Sequence, residues 1–389
     1  MKLALLNDFA EEGWFSMDLL AEQLRNQLAA NSRRWNCHAQ FIRPRFLRTV
    51  SALENQRLLR PFHGTMRNVD RLLNRWCTYP RMVRPHRTAF DAFHVCDHSY
   101  SHLVHSLPED RTGVCCCDLD AFRCLLSPDA EVRPKWFCGM MERALGGMQK
   151  AAKVFCISKY TLQQIQYHRL VPSERLVYAP LGVTDEFHTD ASHDACYLSD
   201  FAKDGLSSRK IVLNVGSCID RKRIDVLLEA FAELKRHHPN VLLVQIGGVW
   251  TEHQWKMIRQ LRLAEDVVQY RGVSRNTLAA FYRQANAVIQ PSQAEGFGLP
   301  LLEAIACGAN VVVSDLEVLR EVGGDAALFV DVGDVPKFAA IANQILAGEV
   351  AIPGEVKQQQ AGQYTWVRHA EIVATTYQQL RLSSNQQAA

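Results

Sequence analysis

The chain has 389 residues, 48% hydrophobic and 22% charged, an ordinary globular balance that supports roughly two or three domains and argues against a disordered or fibrous protein. No apolar run approaches the roughly 18–20 residues of a spanning helix, and the apolar stretch of MKLALLNDFAEEGW is too short for a signal-peptide core, so a cytoplasmic protein is expected, soluble or held at the inner face of a membrane by its surface alone. The net charge of +3 hides a polarised distribution: thirteen arginines lie between Arg33 and Arg87 against two acids, Glu54 and Asp70, an excess suited to a phosphate-bearing or anionic partner.

In chain order, KLALLN (2–7) reads as a first buried strand, and Gly13 sits in the loop behind it. In 57–84, RLLRPFHGTMRNVDRLLNRWCTYPRMVR, arginines interleave with Leu58, Leu59, Phe62, Met66, Val69, Leu72, Leu73 and Trp76, the last four apolar positions at helical spacing. Such a basic amphipathic helix either packs into a core or lies in an anionic membrane interface, where each basic residue adds roughly 1 kcal/mol. No recognised nucleic-acid module surrounds it, so nucleic acid is not expected as a partner.

Short continuous apolar runs follow at FHVC (93–96), TGVCCC (112–117), KVFCIS (153–158) and RLVYAP (175–180), each the signature of a parallel strand covered on both faces. The second half repeats the style with KIVLNVG (210–216), VLLVQIG (241–247), VVQYRG (267–272), AVIQP (287–291), NVVVSD (310–315) and ALFVD (327–331). Between strands, Ile224, Leu227, Leu228, Phe231 and Leu234 fall on one helical face. Strand–helix alternation of this kind predicts an α/β protein of two doubly wound, Rossmann-like domains facing a cleft. The boundaries are placed at 1–185, a polar linker at 186–208, 209–362, a C-terminal helix over 363–382 packing back on the first domain, and an unstructured tail at 383–389.

Twelve cysteines without a C-x-x-C pair, in a chain expected to lack a signal peptide, argue for reduced thiols and against structural zinc. Cys115 and Cys116, in VCCCDLDAFRCLL, read as small buried hydrophobes on a strand. Asp118-Leu119-Asp120 has the look of a carboxylate pair for Mg²⁺, but the richer donor chemistry lies in the other half of the chain, so no metal is expected.

That chemistry is in PSQAEGFGLPLLEAIACGANVVVSD (291–315). A strand ends at Pro291, Gly296 and Gly298 let backbone amides approach a ligand, and a helix opening near Leu299 or Pro300 adds partial positive charge for an anion. Glu295 in the turn and Glu303 eight positions on offer carboxylates to sugar hydroxyls. Glu-x7-Glu within EGFGLPLLEA, followed by a small-residue CG turn, resembles the donor motif of the retaining glycosyltransferases of family 4, which have the GT-B fold. LNVGSCIDRKRIDVLLEAFAELKRHHPNVLLVQIGG, YRGVSRNTLAAFYRQANAVIQPS and SDLEVLREVGGDAALFVDVGD extend the resemblance over 205–345, and FHVCDHSYSHLV and CDLDAFRCLL add to it in the first half.

The resemblance implies a hexosyltransferase that moves a hexose from a nucleotide-diphosphate sugar to a glycan or lipid-linked acceptor with retention, the donor being a co-substrate and no cofactor or metal being required. Lys222 and Arg221, after a strand ending in Gly216, would neutralise the diphosphate, with Ser217 where relatives often carry an arginine. Glu295 would hold sugar hydroxyls, the amides of Gly296, Phe297 and Gly298 and the helix start at Leu299 would surround sugar and phosphates, Glu303 would bind the ribose, and the Gly272-Val273-Ser274 turn would lie against the base. Gly13 would approach the phosphates from the first domain. Cys117 stands where relatives commonly have a histidine facing the reacting centre, so that contribution is expected to be lost or supplied by His98 or His102. This motivates an alternative, a catalytically weakened sugar-nucleotide-binding scaffold subunit; a nucleotide-sugar epimerase on the same architecture is disfavoured by the donor string, and a nicotinamide dehydrogenase by the missing G-x-G-x-x-G.

Overall fold

The computed structural model describes residues 1–52, 63–204, 206 and 208–388; of the basic segment, Arg57, Leu58, Leu59, Arg60 and Phe62 lie outside the described residues, as do Gly205, Ser207 and Ala389 of the expected linker and tail. The chain divides into two compact units, Met1–Leu181 with Trp366–Ala389, and Gly182–Thr365.

The first unit is built on β1 (Lys2–Leu6), β2 (His38–Ile42), β3 (Ala92–Val95), β4 (Thr112–Cys116), β5 (Lys153–Cys156) and β6 (Leu176–Tyr178), in the spatial order β2-β1-β3-β4-β5-β6. The second is built on β7 (Lys210–Gly216), β8 (Val241–Gly247), β9 (Val267–Tyr270), β10 (Ala287–Gln290), β11 (Val311–Ser314) and β12 (Leu328–Val330), ordered β12-β11-β10-β7-β8-β9. Every pairing is parallel. These are the two doubly wound, Rossmann-like sheets of the GT-B fold. The strand order reverses between β1 and β3 in one sheet and between β7 and β10 in the other, and the crevice for a ligand opens beyond the carboxyl ends of the strands at such a switch point.

Every strand but β2 coincides with an apolar run. β2 (HAQFI) is an edge strand with no fully buried residue, so its sequence carries neither a continuous run nor a clean alternation. Helix Ile224–His237 buries Ile224, Leu227, Leu228, Phe231 and Leu234, the face its spacing predicts. Their burial against β7, β8 and the helix Val335–Ala347 stabilises the unit by roughly 1.5–3 kcal/mol per large side chain.

The stretch 186–208, polar in sequence, is packed into its unit rather than strung out. It holds a helical turn, Asp194–Tyr197, and Asp194 accepts from Arg283 Nε at 2.9 Å and Nη2 at 2.6 Å, with both side chains nearly inaccessible. The last helix, Trp366–Ala388, packs on the first unit: Tyr377 O–H donates to the Phe93 carbonyl at 2.8 Å beneath β3. It runs through residues expected to form a tail, because nothing in LRLSSNQQA breaks a helix once the preceding turns are docked.

Candidate functional site

At the switch point of the second unit, the loops leaving β7 and β10 carry the charged residues singled out by the sequence. β7 ends at Gly216, exposed Ser217 follows, and the turn Asp220–Lys222 leads into Arg223, whose left-handed backbone (φ 49°) starts helix Ile224–His237. The two loops are stitched together: Gln293 N–H donates to the Arg221 carbonyl at 2.7 Å, and Arg221 Nη1 to the Ala294 carbonyl at 2.9 Å. This sets Lys222 Nζ 2.6 Å from Glu295 Oε1, and Arg221 Nη1 3.5 Å from Oε2.

Glu295 is 9% exposed, and burial alone would push its carboxyl up. The Lys222 ammonium, hydrogen bonds from Lys222 and Ser292 (2.7 Å), and Arg221 outweigh burial and hold it below the usual range. The site therefore presents an ionised carboxylate whose Oε1 is engaged by Lys222 and Ser292, while Oε2 has, among the described residues, only the longer Arg221 contact and is suited to accept from a hydroxyl. A lysine held in this way is a compact point charge that an anion could meet.

Glycine shapes two walls. A Cβ on Gly248 would lie 2.3 Å from Cys218 Sγ and 2.7 Å from Cys218 N, so only glycine lets the loops after β7 and β8 lie together. Gly298, at φ 100°, caps helix Leu299–Ala306 without a side-chain hydrogen bond, leaving first-turn amides for a ligand; Phe297 is buried against Tyr364, and Gly296 precedes it in the turn. Below the loop, Gln245 Nε2 donates to the Gly216 carbonyl at 2.6 Å and Gln254 Nε2 to the Cys218 carbonyl at 2.9 Å. Ser292, Gly248 and these glutamines were not singled out from the sequence; of them only the Gly247-Gly248 pair at a strand end carried a signal.

Glu303 belongs to a second group. It is buried on helix Leu299–Ala306, with Arg275 Nη2 donating to Oε1 and Tyr282 O–H to Oε2, both at 3.4 Å. Arg275 opens the helix capped by Ser274, so the Gly272-Val273-Ser274 turn and Glu303 are tied through one guanidinium, which also donates to Thr184 Oγ1 at 2.5 Å and lies 3.8 Å from Glu186. Burial raises the Glu303 carboxyl to about 7, with Arg275 and Tyr282 offsetting it in part. If Glu303 accepts from ribose hydroxyls it must be ionised, so affinity for a nucleoside diphosphate is expected to fall by up to about tenfold per unit as pH drops below 7, and to fall less steeply in Glu303→Gln, where the ligand's own phosphate still titrates. Calorimetric titration between pH 5.5 and 8 checks this; equal slopes in the two proteins would refute it.

In the first unit, Gly13 (φ 72°) is exposed in the turn after β1, and Asp97 and His98 follow β3. His98 is buried, with Nδ1 3.3 Å from Asp97 Oδ1 and Nε2 3.5 Å from Asp118 Oδ1. Burial disfavours the charged ring, but contact with Cys117 and the flanking Asp97 and Asp118 prevail and lift His98 to about 9. The Cys117 amide points at Nδ1 from 3.4 Å, a contact suited to the neutral ring; two carboxylates, one near each nitrogen, decide for the imidazolium. His102, by contrast, stacks on Trp76 beside the Arg75 carbonyl, and burial lowers it to about 3. Of the two histidines expected to replace the missing one, His98 is the one beside Cys117.

Cys117 itself is 4% exposed, its Sγ 3.6 Å from Met17 Sδ, and its contact with Cys115 together with burial keeps the thiol well above its usual range. A neutral, packed thiol is the finding, not an open reactive one. Cys117→Ala is expected to cost about 1 kcal/mol of stability and leave turnover near wild type, read by a thermal melt and an initial rate; abolished turnover with intact donor binding would show that the thiol is used.

Residues 199–365 match the family model of the glycosyl transferases group 1, the stretch that holds Lys222, Glu295 and Glu303. The matches taken together support a glycosyltransferase enzyme. The chain is similar to O-antigen chain mannosyltransferase B of Escherichia coli, 29% identical over 74% of this chain and 75% of that one. It is also similar to the serotype-specific mannosyltransferase WbdA of Escherichia coli, 26% identical over 74% of this chain, which spans only 36% of that longer protein. Among solved structures, Anabaena Alr3699/HepE in complex with UDP and glucose superposes with a TM-score of 0.72 over 97% of this chain and 100% of the other, at 16% identity.

Proposed function

We propose that this chain is a retaining hexosyltransferase of family 4 that transfers from a nucleotide-diphosphate sugar to a glycan or lipid-linked acceptor without a metal. The observation that carries the reading is the Lys222–Glu295 pair at the β7/β10 switch point, with Arg221 beside it and the uncapped helix at Gly298 next in the chain. Lys222 and Arg221 take the diphosphate charge as it becomes a leaving group, usually the largest electrostatic contribution to such a transfer. Glu295, engaged by Lys222 and Ser292, acts as a hydroxyl acceptor rather than as a nucleophile, so retention follows from substitution on one face assisted by the leaving phosphate, not from the paired carboxylates of a glycosidase.

The printed names of the relatives favour mannose as the first hexose to test. The Arg33–Arg87 region would meet an anionic membrane surface, which is supported by Val69, Leu72 and Leu73 being 38%, 37% and 41% exposed on a helix rich in arginine. Purified protein given UDP-, GDP- and ADP-sugars, with and without EDTA, should release nucleotide and form a product whose anomeric configuration matches the donor by NMR. Binding without turnover, even with acceptor extracts, would favour the scaffold reading; no binding of any sugar nucleotide would remove both, and inhibition by EDTA would remove metal-independence.

A further inference from the structure

The first unit holds an arginine pocket that the donor chemistry does not use. A cavity of about 180 Å³ is lined by Glu11, Phe46, Arg48, Ser51, Arg67 and Arg71. Arg67 and Arg71 stand four residues apart on helix His63–Leu73, on one face, where like charges destabilise an isolated helix. Arg48 is brought to them by a built device. Asp70, on the same helix and fully buried, accepts from the amides of Thr49, Val50 and Ser51 at 3.1, 2.9 and 2.9 Å and from the hydroxyls of Thr49 and Ser51, each at 2.6 Å. One turn on, Asn74 accepts from the Leu47 amide at 2.9 Å and donates to its carbonyl at 2.7 Å. Residues 47–51 are thus clamped to the helix on both sides of Arg48, and the charge of Asp70 is consumed by the clamp instead of neutralising the arginines.

The remaining acids are few. Glu11 lines the pocket, and Glu12 lies 3.9 Å from Arg71 but is shared with Arg75 at 3.8 Å, Tyr100 and Trp14. Among the described residues, three guanidiniums against Glu11 leave about two positive charges around a cavity of about 180 Å³, a match for a phosphate dianion. Planar guanidinium forks suit its tetrahedral oxygens.

We propose that Arg48, Arg67 and Arg71 form a phosphate-binding pocket that takes a phosphate group carried by the acceptor. That the phosphate belongs to the acceptor rests on the glycosyltransferase reading; that the pocket binds phosphate does not.

The test is arginine modification of the full chain by phenylglyoxal at constant ionic strength, read site by site by mass spectrometry. Inorganic phosphate and glycerol phosphate should slow modification of Arg48, Arg67 and Arg71 severalfold while leaving Arg34 and Arg84 unchanged, and acetate should not substitute for them. In Arg67→Gln/Arg71→Gln, phosphate should no longer protect Arg48. If phosphatidylglycerol vesicles protect these three over Arg34 and Arg84 and phosphatidylcholine vesicles do not, the phosphate is a lipid headgroup; if only the soluble esters protect, it is that of a free acceptor. Unchanged rates with every phosphate probe, protection of all surface arginines alike, or equal protection by acetate would each overturn the proposal. In the same experiment a nucleoside diphosphate should protect Arg221 and not the three, so failure of the donor reading shows separately.

Discussion

Lys222→Ala is expected to lower turnover by about two to three orders of magnitude, the cost of removing one preorganised cation from a developing negative charge. The variant should also be destabilised, because Glu295, 9% exposed, keeps Ser292 and the 3.5 Å Arg221 contact but loses the 2.6 Å ammonium that does most to hold it ionised. Breaking a buried pair at one partner costs more than removing both, since a lone buried charge remains. Lys222→Ala/Glu295→Gln should therefore recover much of the lost thermal midpoint and none of the lost turnover. This separates a structural pair from a catalytic one. If the double variant regains activity along with stability, the pair serves the fold and the proposed role of Lys222 fails; if Lys222→Ala keeps turnover within about tenfold, the leaving-group role fails directly.

The legible parts of this molecule are those in which local pattern and fold agree. Central strands such as β7 and β11 are covered on both faces, so continuous runs like KIVLNV and VVVS announce them; β2, at an open edge, has no such obligation and was missed. At the site, Lys222, Glu295 and Glu303 were marked by their turns and spacing. What the sequence does not show is how they are held. Gln293 bonding Arg221, Arg275 bridging Glu303 and Thr184, and Asp70 clamping 49–51 all join segments 19 to 91 residues apart, and no local periodicity encodes such pairs. The spacing of Val69, Leu72 and Leu73 on helix His63–Leu73 fits a core or a membrane face; all three are exposed, and burial goes instead to Met66, Asp70 and, just beyond the helix, Asn74. Periodicity identified the helix and left its apolar face to either a core or a membrane interface; the polar clamp rather than apolar content determines which side turns inward.

His98→Gln is the second large effect, expected to lower turnover by about a hundredfold through loss of a cationic donor, with the nucleotide affinity nearly unchanged. The residues usually associated with this position would put an imidazole on the segment after β4; here the segment after β3 supplies it, next to the Cys117 amide and between Asp97 and Asp118. Its charge makes the claim specific. The folded-state value of about 9 lies above the 6.5 of a free imidazole, so the stabilisation is complete below pH 6.5 and is lost as pH rises through about 9, an effect of up to about 3 kcal/mol. The wild-type thermal midpoint should decline from about pH 6.5 upward, while kcat/KM should hold until an alkaline limb near pH 9, and His98→Gln should lack both effects. A merely structural histidine would move the melting curve and leave kcat/KM with its alkaline limb, and that outcome would assign the positive charge at this sheet end to another group.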